Sequence, residues 1–254
     1  MDMFVEYDIE VRLKKYIISE GVKYIMESKV VQKYQENENG DDEGRGPEEY
    51  TRKKEEVFWE RSYKDVDAST FGKPSKEIVE IARNLKPGAT VLDVGCGDGR
   101  HTVYLASLGF EVDAFDISEN GINKIRKLTD SKLKIETTVC DIEAFETTKT
   151  YDLIIVHGVL QFIEVVKRNQ AIRKIKALTN DSGYNVIAVF TDEIELPEDL
   201  APHLVGVFNN GEICDFYSEW KTTMYQSYIF EDEHEGGLRH EHAVNKGIFK
   251  NERD

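Results

Sequence analysis

Three glycines at alternate positions mark the stretch of this 254-residue chain whose residue types and spacing best suit chemistry. Gly95, Gly97 and Gly99 follow the short apolar run at 91–94 and precede a helical pattern. Because glycine has no Cβ, such a turn can adopt positive φ and approach a ligand closely, with the amides of the helix N-terminus facing the same ligand. The pattern predicts a strand, a ligand-binding turn and a helix.

The residues around this turn exclude two common phosphate-binding loops. A dinucleotide fingerprint needs a third glycine at the position of Arg100, and a P-loop needs Gly-Lys followed by Ser or Thr, which is absent. The remaining pattern, Asp-x-Gly-x-Gly-x-Gly from Asp93 to Gly99, resembles motif I of class I S-adenosylmethionine (SAM) methyltransferases. In that family the loop surrounds the carboxypropyl end of SAM. A glycine-rich turn that binds nothing is the alternative interpretation.

Two further acids follow the next predicted strands. Asp116 follows the strand at 110–115, about 20 residues after the glycine loop, where a carboxylate accepts hydrogen bonds from both ribose hydroxyls of a nucleoside cofactor. NAD-binding proteins share that acid. Asp141 follows the strand at 133–139, where methyltransferases commonly hold the adenine amino group. For each acid alone, a helix N-cap or a turn is the alternative role.

Strand and helix patterns alternate from residue 90 onward, which predicts an α/β fold with a doubly wound, mostly parallel sheet. The apolar run at 151–156 predicts a strand covered on both faces, and Gly183 is expected to turn the chain into a fifth strand at 185–190. Ligands of such sheets bind at the carboxyl ends of the strands. The acids and glycines above all lie at such ends.

Histidines mark two more candidate positions. His157, in the loop after the fourth strand, is either a base or a loop histidine satisfied by backbone groups, and Phe162 is predicted to lie in the core. His240 and His242 would share one face of the last strand, as a metal pair would require, but no third ligand is convincingly placed. We favour Arg239 and His240 as donors to an oxyanion over a metal pair, and solvated charges on an edge strand are the alternative interpretation.

The N-terminal part differs from the rest of the chain. Residues 1–35 predict a strand followed by a helix, an extension that serves as a packing arm, a homodimer contact or a partner-binding module. Residues 36–47 are acidic and lack aliphatic side chains, which predicts a flexible linker. Residues 48–254 would then form the SAM-dependent methyltransferase domain.

Composition limits the partners and the compartment. A net charge of -16 argues against binding to nucleic acid or to an anionic membrane. The three cysteines have no metal-ligand spacing and are expected to be reduced thiols, with a reactive Cys96 as the less favoured alternative. The chain shows no secretory signal and no apolar run of about 18 residues, so we expect a cytoplasmic protein.

Five segments together resemble the tellurite-resistance methyltransferase family: 92–100, 104–106, 112–116, 183–187 and 211–220. The resemblance implies a seven-stranded Rossmann-like fold and a cytosolic enzyme that methylates soft oxyanions such as tellurite or selenite with SAM. It also implies that Tyr63 covers the methionine end of SAM. In the family a His-Arg pair that follows a Gly-Glu-Leu turn contacts the substrate; here Gly-Gly-Leu at 236–238 precedes Arg239 and His240 in reversed order.

The function expected from these observations is methyl transfer from SAM to a small soft nucleophile, either an oxyanion or a thiol. A SAM-binding regulatory or scaffold protein without catalysis is the alternative. The expected catalytic residues are Arg239 and His240, and no metal is expected. The expected cofactor-binding residues are Tyr63, Asp93, Gly95, Gly97, Arg100, Asp116, Ile117, Asp141, Ile142 and Val156.

Overall fold

The computed structural model describes residues 58–64, 72–129, 131–197, 200–233 and 239–252. The N-terminal extension at 1–35 and the linker at 36–47 lie outside these residues, so the strand, the linker and the homodimer contact expected there stay predictions. The domain boundary at residue 48 likewise stays a prediction.

Thirteen α-helices and β-strands follow one another in the described part of the chain. In order they are α1 (Phe58–Ser62), α2 (Lys76–Ala82), β1 (Thr90–Val94), α3 (Arg100–Ser107), β2 (Glu111–Asp116), α4 (Glu119–Leu128), β3 (Ile135–Val139), β4 (Tyr151–His157), α5 (Val165–Ala177), β5 (Thr179–Phe190), α6 (Glu212–Phe216), β6 (Lys221–Glu233) and β7 (Arg239–Lys250). A 3-10 helix, Leu160–Phe162, lies between β4 and α5. No helix among them is long and apolar enough to cross a membrane.

The seven strands form one sheet in the order β3-β2-β1-β4-β5-β7-β6. Strands β1 to β5 pair in parallel, whereas β7 runs antiparallel to both β5 and β6. The chain leaves β1 toward one edge and returns through β4 to the other side, so the topological switch point lies between β1 and β4. The predicted α/β fold with a mostly parallel, seven-stranded sheet is confirmed.

Helices cover both faces of the central strands. In β4, Leu153 and Ile155 pack in an apolar cluster with α2 and α3, whereas Ile154 and Val156 pack in a second cluster with α5. Because successive strand residues point to opposite faces, an uninterrupted apolar run is needed where both faces are buried. This packing fixes the carboxyl ends of β1 and β4 side by side.

The fifth strand differs from its prediction. It begins at Thr179 rather than at residue 185, and Gly183 lies within it instead of turning the chain before it. Its pairing with β4 is interrupted between Tyr151 and Leu153, beside Ser182, whose φ is 62°. A Cβ on Gly183 would lie 2.9 Å from the carbonyl oxygen of Asn180. The glycine therefore permits a bulge within a longer strand.

Candidate functional site

A cavity of about 590 Å³ opens at the carboxyl ends of the strands, and most of the residues that line it fall into two groups. We call the first group the polar wall; it comprises Tyr63, Asp93, Gly95, Cys96, Gly97, Arg100, His101, Asp116, Ile117, Cys140, Asp141, Ile142 and His157. We call the second group the aromatic wall; it comprises Trp59, Phe162, Ile163, Phe190, Leu200, Tyr228, Phe230, Asp232, His242 and Val244.

The glycine loop joins β1 to α3, as its sequence predicts. Gly95, Gly97 and Gly99 have φ angles of 65°, 54° and 88°, in a region that residues with a Cβ rarely adopt. A Cβ on Gly97 would lie 2.5 Å from the phenolic oxygen of Tyr63. The buried Tyr63 therefore packs directly on the loop, which requires a glycine at this point.

Asp116 ties the end of β2 to the glycine loop. Its Oδ2 accepts a hydrogen bond from the Gly97 amide at 2.8 Å, and its Oδ1 accepts one from the Ser118 amide at 2.8 Å. Burial raises the pKa of Asp116, while these two bonds act in the opposite direction. The carboxylate thus orders the loop and still lines the cavity.

Asp93 fixes the first turn of α3 in a similar way. Its Oδ2 accepts a hydrogen bond from Thr102 Oγ1 at 2.7 Å. Burial raises the pKa of Asp93 to about 6, against the lowering effect of the Thr102 bond and of Arg100. The start of the helix is therefore held over the end of β1.

Asp141 and its apolar neighbours form the edge of the polar wall. The exposed carboxylate of Asp141 accepts a hydrogen bond from the Glu143 amide at 2.7 Å, which is the turn role given above as an alternative. Ile142 lies beside it, and the Ile117 side chain is exposed at the end of β2. An acid next to two apolar side chains can bind both the amino group and the face of a purine ring.

The imidazole of His157, which lines the cavity, contacts a network of charged side chains. Its Nδ1 lies 3.3 Å from Arg100 Nη2, and its Nε2 lies 3.6 Å from Glu77 Oε1, which pairs with Lys246 Nζ at 2.9 Å. Because arginine can only donate, Nδ1 accepts and Nε2 carries the proton. Burial lowers the pKa of His157 despite Glu77. Both ring nitrogens are engaged by protein groups, which favours the structural role of His157 over its role as a base.

The aromatic wall comes from segments that are distant in sequence. Trp59 of α1 and Phe162 meet edge to face with ring centroids 5.1 Å apart. Phe190 at the end of β5 stacks on His242 of β7 at 4.4 Å, and Phe230 of β6 lies 5.3 Å from the same imidazole. Phe162, predicted to lie in the core, is half-buried and lines the cavity, so that prediction was wrong.

Two residues of the site were missed by sequence reasoning. Gln161 is a lining residue whose side-chain nitrogen and oxygen are fully buried and have no hydrogen-bond partner among the described residues. Gly121 of α4 packs on the glycine loop, since a Cβ there would lie 2.6 Å from the carbonyl oxygen of Gly97. A lone amide in the apolar run at 159–163 was the available signal for Gln161.

The structure brings together most of the expected site residues, but not all. Every expected cofactor-binding residue except Val156 lines the cavity; Val156 is fully buried in the core, next to the lining residue His157. Arg239 does not line the cavity: its side chain is 74% exposed and its Nη1 lies 3.8 Å from Glu231 Oε2. The Nε2 atom of His240, also outside the lining, lies 3.0 Å from the Nε2 of His242. The catalytic roles of Arg239 and His240 stay predictions.

The described residues contain no group of three or more metal-ligating side chains. Cys96 of the glycine loop is buried, and this burial, reinforced by Asp93 and Asp116, raises the pKa of its thiol. A thiol in such surroundings is a poor nucleophile. Its small side chain instead fits the space within the loop.

Comparisons with known proteins agree with this geometry. Residues 52–239 match the family model described as tellurite resistance protein TehB. The chain is 31% identical over 158 residues to a probable S-adenosyl-L-methionine-dependent methyltransferase TehB of Haemophilus influenzae, an alignment that covers 61% of this chain and 54% of that protein. The chain thus spans about half the length of this curated relative.

Solved structures show the same architecture. The crystal structure of TehB from Haemophilus influenzae aligns with a TM-score of 0.62 and 28% identity, covering 70% of this chain and 62% of that one. N-methyltransferase NodS from Bradyrhizobium japonicum, in complex with S-adenosyl-L-homocysteine, aligns with a TM-score of 0.57 over 77% of this chain and 99% of its own, at 15% identity, which shows a shared fold. The family model covers well over half of the chain, and the chain therefore belongs to the TehB tellurite resistance protein family.

Proposed function

We propose that this protein is a SAM-dependent methyltransferase that acts on a small soft nucleophile. One observation carries the proposal: residues at the ends of β1, β2 and β3, expected separately to bind SAM, line a single cavity together with Tyr63. The probable SAM-dependent methyltransferase TehB, 31% identical to this chain, supports the same activity.

The residues of the polar wall suit the parts of SAM in turn. The glycine loop, Arg100 and Tyr63 would bind the methionine portion, and Asp116 would accept hydrogen bonds from the ribose hydroxyls. Asp141 would accept a bond from the adenine amino group, with Ile117 and Ile142 against the ring. The glycines permit the backbone to approach a ligand, and the unpaired Gln161 amide offers a hydrogen-bonding group to a polar ligand in the same cavity.

The chemistry requires little of the protein beyond alignment. When bound, SAM supplies a methyl group that is already activated by a positively charged sulfur. The protein has to hold the acceptor atom in line with that methyl and to exclude water. A soft nucleophile that binds as an anion needs no base, which agrees with the engagement of both His157 nitrogens.

The acceptor of this proposal is either an oxyanion such as selenite or tellurite, with Arg239 and His240 as its expected contacts, or a thiol. The alternative is a regulatory or scaffold protein that binds SAM without turnover. Cofactor turnover in the absence of any protein partner separates the two functions.

Calorimetry with SAM, followed by mass spectrometry of S-adenosylhomocysteine after incubation with selenite, tellurite and a panel of small thiols, tests the proposal. We expect saturable binding and product that depends on one of these acceptors. Absence of SAM binding would refute the cofactor assignment. Binding without turnover on any acceptor would favour the regulatory alternative.

A further inference from the structure

We propose that the methyl acceptor is a neutral thiol carried by an aromatic or heteroaromatic ring, and that inorganic oxyanions are poor acceptors. This inference rests on the proposed methyltransferase function and narrows its acceptor class. It is carried by the composition of the aromatic wall, by the charges on that wall and by the unpaired amide of Gln161.

The aromatic wall is the part of the cavity that the cofactor assignment leaves for the acceptor. All the lining residues assigned to SAM belong to the polar wall; they lie at the ends of β1, β2 and β3, at the start of α3 and directly after α1. The aromatic wall comes from α1, β5, β6, β7 and the segments after β4 and β5. An acceptor in this cavity therefore contacts mainly aromatic and aliphatic side chains.

The rings of this wall are ordered by contacts with one another. Phe190 and His242 stack with an interplanar angle of 13°, and Phe230 lies against the same imidazole. On Phe162, Trp59 packs edge to face. Rings held in this way expose faces and edges to the cavity. A further aromatic ring can therefore stack on them or pack edge to face, which are the two geometries that aromatic pairs prefer. A small hydrated oxyanion gains nothing from such a surface.

The charges on the wall are unsuited to an oxyanion. Anion sites are built from arginine, lysine or convergent donors. Among the described residues that line the cavity, Arg100 is the only arginine or lysine, and it lies on the polar wall against His157. Asp232 adds a carboxylate to the aromatic wall, with its Oδ2 4.0 Å from His242 Nε2, and this negative charge disfavours an anion there. The side chain of Arg239 is largely exposed beside Glu231.

Gln161 provides a neutral hydrogen-bonding group at the junction of the two walls. Its Nε2 lies 3.8 Å from the position of a Cβ on Gly158, directly after β4. A buried amide without a partner is costly in the free protein, so a ligand that pairs with it gains that interaction. An amide has no net charge and both donates and accepts, as does the N–C–S group of a heteroaromatic thiol. The geometry therefore makes Gln161 a specificity-determining residue.

The reaction of such an acceptor is balanced without an added reagent. The sulfur of the neutral acceptor, in its thione form, forms a bond to the methyl carbon as the bond from that carbon to the sulfonium sulfur breaks, and the ring N–H then releases its proton to solvent. The products are a methyl thioether and S-adenosylhomocysteine. Because the proton leaves after the methyl group has been transferred, the step needs no buried base.

The test compares three acceptors with the purified full chain and SAM: 2-mercaptobenzimidazole, 2-mercaptoethanol and sodium selenite. Mass spectrometry of the methylated products gives kcat/KM for each. We expect the heteroaromatic thiol to exceed the other two by roughly tenfold or more, as several aromatic contacts and one hydrogen bond would give. Turnover of selenite or 2-mercaptoethanol with equal or higher kcat/KM would overturn the inference and leave the methyltransferase function intact.

A binding measurement decides the case in which none of the three is methylated. Calorimetry of the complex with S-adenosylhomocysteine, titrated with 2-(methylthio)benzimidazole and with selenite, needs no turnover. Tighter binding of the ring compound supports the inference about the acceptor site, and tighter binding of selenite overturns it. Failure to bind S-adenosylhomocysteine or SAM at all would instead contradict the proposed function.

Two variants test whether the ring of Phe230 and the amide of Gln161 contact the acceptor. Phe230→Leu and Gln161→Met should each raise KM for 2-mercaptobenzimidazole roughly fivefold, with KM for SAM unchanged. Phe216→Leu, on α6 outside the cavity lining, is the matched control and should leave both values unchanged. Because Gln161 makes no side-chain hydrogen bond to the described residues, Gln161→Met should not lower Tm. A lower Tm with unchanged KM would refute its role in acceptor binding.

Discussion

The two walls of the cavity differ in how they are built. The polar wall combines residues at the ends of neighbouring strands, and short hydrogen bonds such as Asp116 to Gly97 and Asp93 to Thr102 lock them together. The aromatic wall is assembled from segments between Trp59 and Val244 and is held mainly by ring packing. A fold built in this way can keep its cofactor site while its acceptor site changes.

The largest expected effect comes from the buried ion pair between α2 and β7, next to His157 of the polar wall. Lys246 of β7 pairs with Glu77 of α2 at 2.9 Å, and both side chains are nearly buried. Lys246→Met leaves the Glu77 carboxylate buried without its ammonium partner and should cost about 3 kcal/mol of unfolding free energy. Urea denaturation at pH 7 measures this change.

Lys134→Met is the matched control, because the ion pair of Lys134 with Glu111 is exposed on both sides. That substitution should change the unfolding free energy by less than about 1 kcal/mol. Equal losses in the two variants would mean that burial adds nothing to the stability contribution of the Lys246–Glu77 pair.

A substitution at Gly206 should disturb the acceptor-binding part of the cavity without affecting the polar wall. A Cβ at this position would overlap the backbone carbonyl oxygen of Ile163, and the Gly206 amide donates to the carbonyl oxygen of Gln161 at 3.0 Å. Gly206→Ala should therefore displace the segment that carries these lining residues. We expect KM for the acceptor to rise roughly tenfold or more, from about 1–3 kcal/mol of overpacking, with affinity for S-adenosylhomocysteine nearly unchanged.

Gly211→Ala controls for backbone strain, because Gly211 has a φ of 88° but no atom within 4 Å of its Cβ position. If both variants changed the acceptor KM equally, displacement of the Ile163 segment would not be the cause.

A substitution at Gly121 should disturb the polar wall without affecting the aromatic wall. Its Cβ would lie 2.6 Å from the carbonyl oxygen of Gly97, which cannot yield without moving the glycine loop. Gly121→Ala should weaken binding of S-adenosylhomocysteine roughly tenfold, measured by calorimetry, and leave binding to the aromatic wall unchanged. Equal effects on both ligands would show that the walls are not independent.

The smallest expected effect is a pH dependence of stability. Burial, aided by the positive charge of Arg100, lowers the pKa of His101 to about 2, so the histidine is neutral in the folded protein. In the unfolded chain it binds a proton near pH 6.5, and stability therefore falls as pH falls below that value. Between pH 6.5 and 5.5 the loss should be about 1 kcal/mol.

Unfolding free energies of the wild type and His101→Gln at several pH values isolate this contribution, since other titrating groups cancel in the difference. His203→Gln, at an exposed histidine, should keep the wild-type slope. A parallel pH dependence in wild type and His101→Gln would contradict the assignment.

The sequence predicted the polar wall better than the aromatic wall for a physical reason. Glycines and acids that directly follow apolar runs must lie at the carboxyl end of a parallel sheet, so Gly97, Asp116 and Asp141 could be placed from local patterns. Val156 is buried in the core and its role in cofactor binding stays a prediction, whereas the neighbouring His157 lines the cavity. Local patterns thus sufficed to place the residues of the polar wall at the strand ends.

The aromatic wall depends on long-range register that local patterns do not contain. The placement of Phe230 and His242 follows from the pairing of β6 with β7, in which these two residues face each other. Arg239 is the first residue of β7 and lies opposite Glu233, the last residue of β6, in the strand register. At this end of the strand pair it is not part of the cavity lining. The bulge in β5 likewise depends on its contacts with β4.

The most direct test of the central claim is calorimetric titration of SAM into the wild type and Asp116→Ala. Asp113→Ala, on the same strand but paired with Lys149 outside the cavity, is the control. The account predicts that the wild type and the control bind SAM equally and that Asp116→Ala binds it more weakly by roughly 1–3 kcal/mol. Equal affinity in all three proteins, or no binding by the wild type, would contradict it.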